Sequence, residues 1–138
     1  MFLLDTNVVS ELRKVASGRA DSAVVAWERG VLASQLFLSA ITVFEIEIGI
    51  LRVERRDPLQ ARNFRRWFGA HLLPAFSGRI LALDEVVAMR GAELQVPDKR
   101  PERDAFIAAT ALVHGMTVVT RNVGDFEGTG VKLINPWD

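Results

Sequence analysis

The sequence predicts an α/β fold: one domain, residues 1–138, with a short parallel β-sheet flanked by helices on both faces. Three observations lead there. Short apolar runs alternate with segments of helical periodicity along the whole chain. Each run ends at a polar residue suited to open the next helix. A length of 138 residues with 49% hydrophobic content suits one well-filled core and rules out extensive disorder.

Phe2-Leu3-Leu4 reads as a buried strand that stops at Asp5. Val8, Val9 and Leu12 follow at helical spacing until Gly18 interrupts. Asp21 and Ser22 can cap a second helix through Val24, Val25, Trp27 and Leu32. Leu36-Phe37-Leu38 is the second strand, with Ser39 as N-cap of a helix from Ile41 to about Glu54. Asp57-Pro58 restarts a helix, with Asp at the cap and Pro at its first position. That helix carries Ala61, Phe64, Phe68 and Leu72 on one face, and Arg62, Arg65 and Arg66 largely on the other, solvated. Arg79 to Leu83 is a third strand, and Asp84 caps a helix through Val87 and Leu94. After the loop Pro97–Pro101, Arg103 to Val113 is helical and stops at Gly115. Thr117 to Thr120 and Val131 to Ile134 are the last two strands.

Composition removes several classes of function. No apolar run approaches the roughly 18 residues needed to span a bilayer. The start Met1-Phe2-Leu3-Leu4-Asp5 has no basic region, so no signal peptide is expected. The chain has no cysteine, which excludes disulfides, thiolate metal sites and thiol nucleophiles and fits a cytoplasmic protein. Seventeen basic residues balance 17 acidic ones, so a globally basic nucleic-acid binder is excluded and a polyanion must meet a local patch. A candidate patch exists in sequence: Arg52, Arg55, Arg56, Arg62, Arg65 and Arg66 fall in one short stretch whose only acids are Glu54 and Asp57. There is no G-x-G-x-x-G, no Walker lysine and no nucleophile elbow. His114 beside Gly115 suits a helix C-terminus, and Trp27, Trp67 and Trp137 suit packing.

Ligands of open parallel sheets gather beyond the carboxyl ends of the strands. Asp5 follows the first strand there; Thr120, Asn122 and Asp125 follow the strand at Val118. Glu45 lies in a helix that is apolar nearly all round and therefore reads as buried, where a lone carboxylate is costly. Gly49, one turn on, leaves room beside it; Glu47, about 200° round the helix, lacks that space. Asp104 falls on the line of the apolar stripe Ile107, Ala108, Ala111 and Leu112, so it points to the core edge. Capping offers another role for Asp5, helix-dipole complementation for Asp104 and turn formation for Asp125; Asp84 is fully explained as a cap. Jointly, Asp5, Glu45, Asp104 and Asp125 can converge at one sheet edge, where they repel and call for a cation. An oxygen-only donor set suits Mg²⁺ or Mn²⁺ rather than Zn²⁺, and such a site activates water and stabilises charge on a phosphodiester.

These residues also resemble a known family. Leu3-Leu4-Asp5-Thr6-Asn7, the segment Ser39 to Gly49, the segment Asp104 to Ala111 and Thr120-Arg121-Asn122-Val123-Gly124-Asp125-Phe126 are similar, in order, to the successive blocks of a PIN domain. The likeness spans nearly the whole chain, includes the ending Ile134-Asn135-Pro136, and is greatest to bacterial VapC-type toxins, the FitB-like branch included. It implies a single PIN-like domain that is a metal-dependent endoribonuclease leaving 5′-phosphate and 3′-hydroxyl ends. It implies metal ligands at Asp5, Glu45, Asp104 and Asp125; Gly124 makes the loop that carries Asp125 flexible. Asn7, Thr120 and Asn122 match its supporting polar positions. It further implies a cognate antitoxin, a homodimer, and operator DNA reached only through the antitoxin. Arg52, two turns beyond Glu45, and Arg56 are the candidates for RNA or antitoxin contact. The FitB-like branch offers another reading, a PIN subunit of a DNA-binding repressor complex with little nuclease activity. A phospho-receiver domain is disfavoured, because Asp84 is poorly placed and the last strands carry only Lys132.

Overall fold

The computed structural model describes residues 1–138. Five parallel strands form one sheet: β1 (Phe2–Leu4), β2 (Leu36–Ser39), β3 (Ile80–Leu81), β4 (Thr117–Val119) and β5 (Leu133–Ile134), in the order β3-β2-β1-β4-β5. Successive residues of a strand face opposite sides of a sheet, and both sides are filled here. Leu4 and Val119 pack with Val8, Ile46, Ile50, Phe68 and Leu72 on one side. Leu3 and Val118 pack with Ile107, Ala108, Ala111 and Phe126 on the other. Burial on both sides explains why the strands read as continuous apolar runs.

The helices are α1 (Thr6–Leu12), α2 (Ser22–Arg29), α3 (Ala40–Arg56), α4 (Pro58–Trp67), the single turn α5 (Leu73–Ala75), α6 (Glu85–Glu93) and α7 (Glu102–His114). Their starts follow the capping residues. Asp21 accepts from the Ala23 and Val24 N–H groups, Ser39 from Ile41, Asp57 from Gln60 and Asp84 from Val87. Gly115, at φ 68°, ends α7 in the left-handed conformation that a side chain disfavours. Gly91 lets α6 close on α7, since a Cβ there would stand 3.1 Å from the Phe106 ring.

Several elements differ from the sequence expectation. The third strand stops at Leu81 because its partner β2 ends at Ser39, opposite Leu81, leaving Ala82 and Leu83 with nothing to pair. The second helix ends at Arg29, capped by Gly30, so Leu32 lies outside it and is exposed. The helix after Pro58 does not run evenly to Leu72: Phe68–Leu72 widens into a π turn, which still buries Phe68 and Leu72. Helix α3 is not buried all round, because Phe44 and Leu51 are exposed on its outer face. Arg65 is not simply solvated, since it bonds the Glu47 carboxylate and lies 3.8 Å from Glu54. No helix is long and apolar enough to cross a membrane.

The strand order reverses direction at β1, with β2 on one side and β4 on the other. The crevice beyond the carboxyl ends of β1 and β4 is therefore the topological switch point, where this class of sheet places its ligands.

Candidate functional site at the switch point

Asp5 leaves β1 directly into this crevice and is only 8% exposed. It is also the cap of α1, so the capping role and the site role coincide: Oδ1 accepts from the Thr6 N–H at 2.8 Å. Oδ2 accepts from the Thr120 hydroxyl at 2.8 Å and from Asn7 Nδ2 at 3.3 Å. Thr120 is fully buried just past β4, and its Oγ1 in turn accepts from Asn7 Nδ2 at 3.2 Å and from the Asn122 N–H at 3.1 Å. Asn7 closes the link by accepting the Arg121 N–H at 3.2 Å. This network ties β1 to β4 and holds Asp5 in one orientation while leaving Oδ1 with spare acceptor capacity. Asn122 takes part through its backbone rather than its side chain.

Glu45 comes from α3, one turn after the buried Thr42. Its Oε1 accepts the Thr6 hydroxyl at 2.8 Å, and Thr6 also meets Thr42 at 3.2 Å. Its Oε2 stands 3.7 Å from Arg103 Nη1. The Arg103 guanidinium lies 5.1 Å over the Phe44 ring, which ties the mouth of the crevice between α3 and α7. Glu47 turns away to Arg65, so the two glutamates of α3 separate as their spacing requires. Gly49 serves helix packing rather than space for Glu45, because a Cβ there would meet Phe64 at 3.8 Å. Asp84 caps α6 and takes no part.

Asp104 sits in the first turn of α7, half-buried above Ile107 and Ala108. Burial, followed by the charges of Asp125, Asp5 and Glu45, pushes its carboxyl up to about 6. Asp5 is also raised: burial dominates, the bonds from Thr120 and Thr6 oppose it, and the charges of Glu45 and Asp125 add to it. Asp125 is exposed on a 3₁₀ turn, Val123–Phe126, rather than on a loose loop. The turn is anchored by Phe126, which is 1% exposed, and closed by the Asp125 N–H to Asn122 carbonyl bond at 3.0 Å.

The charges of Glu45 and Asp125 thus act on both Asp5 and Asp104. No three such side chains are drawn together tightly enough to hold a metal ion between them. The reason is visible at Glu45, whose two oxygens are engaged by Thr6 and Arg103. The donor set still fits a hard divalent cation: it offers oxygen only, is desolvated at Asp5, and lacks compensating charge at Asp104. Arg52 and Arg56 are exposed on the outer part of α3 and make no ion pair. Sequence reasoning passed over Thr6, Thr42 and Arg103. Thr6 lies between two residues already singled out and Arg103 precedes Asp104, so adjacency was their only signal.

Comparison with known proteins agrees with this fold. The chain is 38% identical to the VapC ribonuclease Y4jK of Sinorhizobium fredii, across 100% of this chain and 99% of that one. The crystal structure of FitAcB from Neisseria gonorrhoeae superposes with a TM-score of 0.89 at 35% identity, covering 99% of both chains. A toxin-antitoxin complex from Klebsiella pneumoniae matches at 26% identity and a TM-score of 0.67, over 100% of this chain and 99% of that one. The PIN domain sequence profile matches residues 2–130. With that match over nearly its whole length, the chain belongs to the PIN-domain family.

Proposed function

We propose that residues 1–138 act as one metal-dependent endoribonuclease domain, the toxin of a type II toxin–antitoxin pair, working in the cytoplasm. The observation that carries this reading is Asp104 at the β1/β4 switch point, a half-buried carboxyl without a cation partner that is pushed up to about 6 by burial and by Asp125, Asp5 and Glu45. The likeness to a VapC ribonuclease and to a toxin-antitoxin complex supports the substrate and the partner.

Asp5, Glu45 and Asp104 would hold Mg²⁺ or Mn²⁺, with Asp125 completing the set. When bound, the cation lowers the pKa of a water and stabilises charge on the scissile phosphate. Thr120 and Asn7 keep Asp5 aimed into the crevice, and loss of such supporting bonds typically costs about 10–100-fold in metal affinity or activity. Thr6 positions Glu45. Arg103 offsets part of the Glu45 charge in the metal-free protein. Arg52 and Arg56 are proposed as contacts for RNA or for an acidic residue of the antitoxin. The active assembly is proposed to be a homodimer, reaching operator DNA only through the antitoxin.

Chelator-treated protein is expected to leave a single-stranded RNA intact. Added Mn²⁺ or Mg²⁺ should restore cleavage, with 5′-phosphate and 3′-hydroxyl ends identified by end-labelling. Intact RNA under both metals would instead favour the second reading, a PIN subunit serving a DNA-binding repressor. The absence of a tightly converged metal cluster is the observation that keeps that reading in view.

A further inference from the structure

A second polar feature lies away from the carboxylates. An open cavity of about 510 Å³ is lined by Ser10, Arg13, Lys14, Ser17, Arg19 and Gln60. It holds three cations and no acid among its lining residues. Lys14 is neutralised from outside by Glu11, at 3.1 Å. Arg13 and Arg19 have no carboxylate partner. Arg13 is held in place by aromatic rings, its guanidinium carbon 4.0 Å from the Phe64 centroid and 5.7 Å from that of Trp67. Arg19 Nε donates to Ser17 Oγ at 3.2 Å. Burial and the neighbouring Arg19 charge lower the pKa of Arg13, the mark of a cation short of a counter-ion. The two arginines therefore repel each other across a space lined with hydroxyl and amide groups, an arrangement that an anion relieves.

Position connects this cavity to the site. Asn7, Ser10 and Lys14 are spaced i, i+3, i+7, so they share one face along α1 and the turn that follows it. Asn7 is bonded to Asp5 at one end of that face, and Ser10 and Lys14 line the cavity at the other. Asp5 to Arg13 spans eight residues, about 12 Å at helical rise. A strand whose scissile phosphate lies at the carboxylates can thus lay a neighbouring phosphate in the cavity.

We propose that the Arg13–Lys14–Arg19 cavity is a second subsite, one that binds a backbone phosphate of the RNA substrate a short distance along the strand from the bond that is cut. The inference rests on the nuclease reading above for the direction of the strand. It adds, besides Arg52 and Arg56, a local basic patch of the kind that a chain of zero net charge needs in order to meet RNA.

The test uses the full chain and a fluorescent single-stranded RNA of twelve nucleotides, titrated in chelator so that no cleavage is required. R19Q and the double variant R13Q/R19Q are compared with wild type across a salt series. Each lost phosphate contact should flatten the slope of log affinity against log salt by about 0.7. R19Q, on an exposed side chain, keeps the test valid if R13Q disturbs the Phe64–Trp67 packing. In Mn²⁺, R19Q should raise KM for the twelve-mer several-fold with kcat unchanged. A dinucleotide, too short to reach the cavity, should be cut equally by R19Q and wild type. An unchanged slope in both variants, or an equal loss on the dinucleotide, overturns the subsite. Inorganic phosphate or a mononucleotide bound as tightly as the twelve-mer, with the same sensitivity to R19Q, overturns its assignment to an RNA strand. RNA that binds with the expected slopes yet is never cut leaves the cavity as an RNA-phosphate site and removes the nuclease reading instead.

Discussion

Asp104→Asn is expected to cut metal-dependent RNA cleavage at least about a hundredfold, the scale on which charge-stabilising groups at reacting centres act. The same change should stabilise the metal-free fold above pH 6. Asp104 is raised from its ordinary value of 3.8 to about 6, mainly by burial and then by Asp125, Asp5 and Glu45. A raised carboxyl binds its proton more tightly in the folded chain than in the unfolded one. Its folded form is therefore most favoured below the unfolded value of 3.8 and loses stability as pH rises through about 6. The asparagine carries no charge and escapes that loss. Because Asp104 is only half-buried, solvent screening reduces the effect to the order of 1 kcal/mol. Melts in chelator at pH 7.5 should place the variant a few degrees above wild type, and melts at pH 4 should bring the two together. A variant that melts lower at pH 7.5 would show that Asp104 serves the α7 terminus instead.

Phe126→Ala has the largest expected effect on stability. Phe126 is 1% exposed, packs with Leu3, Ile107 and Val118, and anchors the turn that carries Asp125. Truncating a buried Phe costs about 3–5 kcal/mol, a large share of the roughly 5–15 kcal/mol that holds a domain together. A fall in Tm of about 10–15 °C is expected by calorimetry. The turn should loosen with it, so amide exchange at Asp125 should quicken more than at Val8 or Val9 in the opposite core. Equal quickening at all of these positions would mean that the anchor is global rather than local.

The order of elements was legible because the strands are short and apolar and capping residues precede several of the helices. Asp21, Ser39, Asp57 and Asp84 each announce a helix, and each caps one. Strand ends were less legible, since pairing decides them: Ala82 and Leu83 have strand-forming neighbours but no partner beyond Ser39. The outer face of α3 was hidden for a related reason. Its side chains are apolar at Phe44 and Leu51, and only the fold reveals that no element covers them. At the site, the four acids could be named from their positions after strands and on helix faces. The contacts that hold them could not, because Thr120 reaches Asp5 across 115 positions and Thr6 reaches Glu45 across 39. Arg13, Lys14 and Arg19 went unnoticed beside the denser arginine run of α3 and α4, whose Arg65 is spent on Glu47.

Asp5, Glu45, Asp104 and Asp125 are proposed to hold one divalent cation together. Calorimetric titration of Mn²⁺ into the chelator-stripped protein tests this most directly, at pH 7.5 and at pH 5, with Asp104→Asn alongside. Saturable binding is expected at pH 7.5. It should weaken as pH falls through about 6, where Asp104 takes up its proton, and be at least about tenfold weaker in the variant. Absence of Mn²⁺ binding, or binding of equal strength in wild type and Asp104→Asn at both pH values, would show that these carboxylates do not share a cation.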